Sequence, residues 1–105
     1  MIISKELLSE VLNLNITNVQ VISITAFYIY EDENEIEFED KLNIYYLAHK
    51  CKEWAAPQGY NVSSNLVTTM ITSNGYREMF DADTEPEAIF KACQWILDNI
   101  KNGEK

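Results

Sequence analysis

At 105 residues, with 47% hydrophobic and 24% charged residues, the chain has the size and composition of one globular domain. Seventeen acidic residues against eight basic ones give a formal net charge of −9, which argues against non-specific binding to nucleic acid or an anionic membrane, since both need a basic surface. No apolar run reaches the length of a membrane span, and the first residues lack the charged and apolar regions of a leader, so a cytoplasmic protein with reduced thiols at Cys51 and Cys93 is expected.

Residues 4–12 read as a helix. Ser4 is placed to cap it, and Leu7, Leu8, Val11 and Leu12 fall on one stripe. The asparagine-rich stretch 13–18 interrupts it, because asparagine offers the backbone local hydrogen bonds. Residues 19–30 are rich in β-branched and aromatic side chains and predict one long strand, apolar on both sides and so central or covered on both faces. A polar turn over 31–34 leads into Glu35-Ile36-Glu37-Phe38-Glu39. Its strict alternation predicts a half-buried strand, with Ile36 and Phe38 inward, pairing back on 19–30.

A second helix is predicted over 43–56, capped by Asp40 or Asn43, with Ile44, Leu47, Ala48, Cys51, Trp54 and Ala55 on one face. Pro57 and Gly59 end it. Residues 58–65 form a polar loop with a short strand around 60–62. Next comes a hairpin of residues 66–73 and 76–82, joined by Asn74-Gly75, a pair suited to a two-residue turn with positive φ at both positions. That turn pairs Ser73 with Tyr76, Ile71 with Glu78, Thr69 with Phe80 and Val67 with Ala82. Val67, Ile71 and Phe80 then share the better core face, and Met70, Met79, Thr68, Thr72 and Arg77 the other. The last helix opens on Thr84-Glu85-Pro86-Glu87, a capping box with proline in the first turn. Ile89, Ala92, Cys93, Ile96 and Ile100, widened by Leu97, form its stripe, and Asn102-Gly103 ends it.

These elements predict an α+β fold, a helix/antiparallel-sheet/helix sandwich with an N-terminal helix and β-hairpin. It is a single domain over 1–105, in which 1–40 supply the first helix and hairpin and 41–101 the helix-hairpin-helix unit.

Residues 43–100 resemble the phage ABA sandwich domain family, small proteins of phages and prophages. The likeness is carried by Leu47-Ala48-His49-Lys50-Cys51-Lys52-Glu53-Trp54-Ala55, the strand pair, and the acidic-Thr-x-Pro-x-Ala-Ile opening of the last helix, Asp83-Thr84-Glu85-Pro86-Glu87-Ala88-Ile89. It implies a phage or prophage origin and a bacterial cytoplasm. It brings no reaction and no catalytic residue.

Chemistry-bearing residues are sparse. One histidine and no Cys-x-x-Cys pair are too few for a metal centre, and none is expected. Three glycines cannot build a phosphate-binding loop, and no nucleophile-elbow or dinucleotide motif is present. Cys93 could serve as a nucleophile only if it touched His49; both cysteines fall on apolar stripes, which favours core packing. The carboxylates are the richer feature: seven fall within residues 31–40, and five more, more loosely, within 78–87. On a strand, Glu35, Glu37 and Glu39 stand about 6.6 Å apart in a row. That row suits a basic groove that otherwise holds a nucleic-acid backbone; it equally suits a solvated edge whose charge blocks sheet-to-sheet aggregation.

The expected function is therefore non-enzymatic: a phage or prophage accessory protein, without cofactor, that binds a host protein with a basic surface, as an inhibitor of a nucleic-acid-handling defence system such as CRISPR or restriction would. Glu31, Asp32, Glu33, Glu35, Glu37 and Glu39 are the candidate partner-binding residues. Tyr28, Tyr30, Tyr45, Tyr46, Tyr60, Tyr76 and Trp95 are too many to bury together, so an aromatic contact face and a homodimer through it are further expectations. The alternatives are a small ligand binder or enzyme using His49 and the cysteines, and a structural homo-oligomer.

Overall fold

A computed structural model describes residues 3–21, 26–31, 34–35, 42–66 and 68–102, with side-chain surroundings for 3–16, 43–66 and 68–102. The fold is α+β. Helix α1, Lys5–Leu12, begins where expected: Ser4 Oγ accepts from the Leu7 N–H at 3.0 Å. It ends at Asn13, whose left-handed conformation (φ 56°) asparagine tolerates better than most residues.

The single long strand expected over 19–30 is two strands. β1, Ile16–Val21, and β2, Ala26–Glu31, pair antiparallel, with Val21 opposite Phe27 and Ile16 opposite Glu31, and a bulge between Ile16 and Asn18. The run Ile22-Ser23-Ile24-Thr25, between them, has no Gly, Pro, Asn or Asp to announce a turn, so its composition reads as continuous strand. Glu31 belongs to β2 rather than to the predicted turn. β3, Asn34–Glu35, and β4, Leu42–Asn43, both pair antiparallel with β2. The return of this segment along β2 is as expected for Glu35, while Asn34 belongs to β3 rather than to the predicted turn; Ile36, Glu37, Phe38, Glu39 and Asp40 lie outside the described residues.

Helix α2, Ile44–Ala55, is capped by Asn43, whose Oδ1 accepts from the N–H groups of Tyr45 and Tyr46. A 3-10 turn over Ala56–Gln58 absorbs Pro57, and Gly59, at φ 96°, closes it. β5, Asn61–Ser64, β6, Thr68–Ser73, and β7, Tyr76–Asp81, form an antiparallel sheet in the order β5-β6-β7. The register is the one that the Asn74-Gly75 turn dictates: Ser73 opposite Tyr76, Ile71 opposite Glu78, Thr69 opposite Phe80. Val67 lies outside the described residues, so its pairing with Ala82 does too.

Helix α3, Glu85–Lys101, starts at Thr84, whose Oγ1 accepts from the Glu87 N–H at 3.4 Å. The same hydroxyl donates to Glu87 Oε1 at 3.5 Å.

α2 and α3 pack on each other and on the β5–β7 sheet. Val62, Thr69 and Ile71 are the sheet's buried contribution, with Phe80 partly buried beside them. Leu7 and Leu8 of α1 and Ile16 of β1 complete one core with Ile44, Leu47, Ile89, Phe90 and Ile96. The opposite face of the sheet holds Met70, Met79, Thr72 and Arg77, as expected, and Met79 is 60% exposed. Ile100, read as core, is exposed, because it lies in the last turn of α3 beyond Ile96 and Leu97, the last residues of that helix in the core. Phe90, outside the predicted stripe, is buried in its place.

Candidate functional site

Cys51 and Cys93 meet across the α2–α3 seam, as inward positions of two apolar stripes. Both are fully buried free thiols, and Cys93 Sγ donates to the Cys51 carbonyl oxygen at 3.6 Å. A side-chain interaction with Cys93 that favours the protonated Cys51 thiol, together with burial, pushes that thiol well above its ordinary pKa. Such a thiol is a poor nucleophile, because the thiolate is the reactive form. His49, two residues before Cys51 on α2, points elsewhere: its side chain is 67% exposed and its Nε2 lies 3.3 Å from Glu53 Oε2. The structure does not join the imidazole to either thiol. No group of three or more His, Cys, Asp or Glu among the described residues is arranged to hold a metal ion. Among them, too, no helix is long and apolar enough to cross a membrane.

Of the candidate partner-binding residues, Glu31 ends β2 and Glu35 ends β3, where it stands opposite Tyr30. Asp32, Glu33, Glu37 and Glu39 lie outside the described residues. The second acidic set is largely in view. Asp81 and Asp83 are exposed, and Glu78, Glu85 and Glu87 are partly so. Ser64 Oγ donates to Glu85 Oε2 at 2.6 Å, tying β5 to the start of α3.

The aromatics divide. Tyr45 and Tyr46 stand exposed on the first turn of α2, with Lys50 Nζ 5.6 Å from the Tyr46 ring centroid. Trp95 is the centre of the other group. It stacks near-parallel with Tyr76 at 6.0 Å, meets Tyr60 edge-on at 6.2 Å, and lies 6.2 Å from the tilted ring of Phe80. Offset and edge-on arrangements of this kind suit the aromatic quadrupole.

This cluster borders a feature that sequence reasoning missed. A groove of about 680 Å³ is lined by residues of α3 together with Phe80 of β7, Ile3 and Ser4. Ile3, Phe80 and Trp95, over the nearly buried Phe90, supply its apolar surface, and Ser4, Glu87, Lys91, Gln94 and Asp98 its polar one. Ser4 Oγ donates to Gln94 Oε1 at 2.6 Å, Gln94 Nε2 donates to Asp98 Oδ1 at 3.0 Å, and Lys91 Nζ donates to the Asp81 carbonyl oxygen at 2.9 Å. The available signal was two aromatics, Phe90 and Trp95, outside the main stripe of α3 and flanking the i, i+4, i+7 polar row of Glu87, Lys91 and Gln94.

The chain matches no protein-family model, no curated protein and no solved structure.

Proposed function

We propose that the chain is a non-enzymatic accessory protein of phage type that binds a basic host protein in the bacterial cytoplasm, as an inhibitor of a nucleic-acid-handling defence system does. The charge carries this reading: −9 over 105 residues, with none of the carboxylates of described surroundings buried. A negative field of this kind speeds encounter with a basic groove and disfavours other acidic partners. The likeness of residues 43–100 to phage ABA sandwich proteins supports the origin. The buried thiols and the separate His49 support binding over catalysis.

Glu31, Asp32, Glu33, Glu35, Glu37 and Glu39 form the acidic contact in this account, and Tyr45 and Tyr46 add exposed aromatic area. The combined variant Glu35→Lys, Glu37→Lys and Glu39→Lys should weaken binding to the purified partner and flatten its salt dependence, measured by calorimetry over a salt series. Unchanged affinity would reduce the acidic segment to an aid to solubility.

A further inference from the structure

The groove on α3 lies beside a strand that, among the described residues, has one unpaired side. Among the described residues β7 is an edge of its sheet. Ser73 and Tyr76 flank a two-residue turn, so they exchange backbone hydrogen bonds, as do Ile71 with Glu78 and Thr69 with Phe80. The alternate residues Arg77, Met79 and Asp81 then direct their N–H and C=O groups away from β6. The bond from Lys91 Nζ to the Asp81 carbonyl oxygen is what that geometry requires. Arg77 and Met79 are left with outward backbone groups next to an apolar trough. The trough's polar residues on α3 are Glu87, Asp98, Lys91 and Gln94, and Lys91 already spends a donor on Asp81.

We propose that this groove receives an extended segment of a partner protein as a fourth strand on β7. Main-chain bonds to Arg77 and Met79 supply the pairing. Every second side chain of the segment faces the groove: apolar ones meet Phe80 and Trp95, and basic ones at the two ends of that set meet Glu87 and Asp98. The groove-facing positions of the occupant are basic at their two ends and apolar between, because Glu87 and Asp98 stand about three helical turns apart on α3 with Trp95 between them. A second copy of this chain would instead bring a further net charge of −9 to the contact. The inference rests on the proposed protein-binding role but not on the acidic segment around Glu35.

The test is amide NMR of the full chain titrated with a pool of synthetic peptides, each about ten residues long, the length of a long strand. In one pool every second residue makes a set with lysine or arginine at its two ends and valine, leucine or phenylalanine between, and the intervening positions are threonine. In a control pool glutamate replaces the basic residue, and in another a proline sits mid-peptide. The basic pool should shift the Arg77 and Met79 amides and slow their exchange with solvent, and the control pools should not. The pair Glu87→Gln and Asp98→Lys, in which glutamine keeps the helix-start contact with Thr84, should weaken binding about tenfold. Four results would overturn the proposal: no shift at Arg77 and Met79 with the basic pool; equal binding of the acidic or proline pool; the same shifts from self-association without peptide; or displacement of peptide from Trp95 by a small apolar dye that leaves these two amides unmoved. Loss of groove binding with the Glu35, Glu37 and Glu39 effect intact would leave the broader reading standing, and the reverse result would remove only the acidic-segment contact.

Discussion

The two thiols show how much position decides at the scale of the residue. Cys51 and Cys93 are placed by helical spacing on inward stripes, and the structure brings them together with no histidine in reach. Because the folded state holds the Cys51 proton more tightly than the unfolded chain does, it keeps that proton at a pH where the unfolded chain has lost it. Its contribution to stability is full below the ordinary thiol value of about 8.5 and is lost as pH climbs above it. Denaturant unfolding from neutral to alkaline pH should show that decline, and the pair Cys51→Ala and Cys93→Ala should show less of it. An identical slope in that pair would assign the decline to other groups. What the sequence could not show at this scale is which neighbours enclose a side chain. Phe90 and Ile100 both belong to an apolar helix, and only the length of α3 relative to its packing partners buries the first and exposes the second.

Elements with strong chemical punctuation were legible, and those without it were not. Thr84, Asn43 and Ser4 each accept from backbone N–H groups at a helix start, and each was readable as a polar residue before an apolar stripe. Asn74 and Gly75, at φ 51° and 84°, fix the register of β6 on β7. The separation of β1 from β2 was missed because Ile22, Ser23, Ile24 and Thr25 include no turn residue, and the first residues of β1, 16–18, were hidden in the asparagine-rich stretch 13–18, which reads as a break. The same logic sets the cost of removing a signal. Thr84→Ala should lower the unfolding free energy by about 1 kcal/mol through loss of the cap. Gly75→Ala, which meets no atom within 4 Å, should cost about 1–2 kcal/mol through its left-handed backbone alone. Chemical denaturation reads both; no loss at Gly75→Ala would mean that the turn relaxes to another type.

For the molecule as a whole, the groove beside β7 arises only from tertiary placement. Ile3, Phe80 and Trp95 are far apart in sequence, and no periodicity predicts that they border one trough. Net charge, by contrast, is read directly from composition and bears on partners rather than on fold. The most direct measurement of the central claim is affinity capture of bacterial proteins on the immobilised chain at low and at high salt. A basic, nucleic-acid-handling protein retained at low salt and released at high salt is the expected result. Absence of any such protein, or retention indifferent to salt, would contradict an electrostatic binding role.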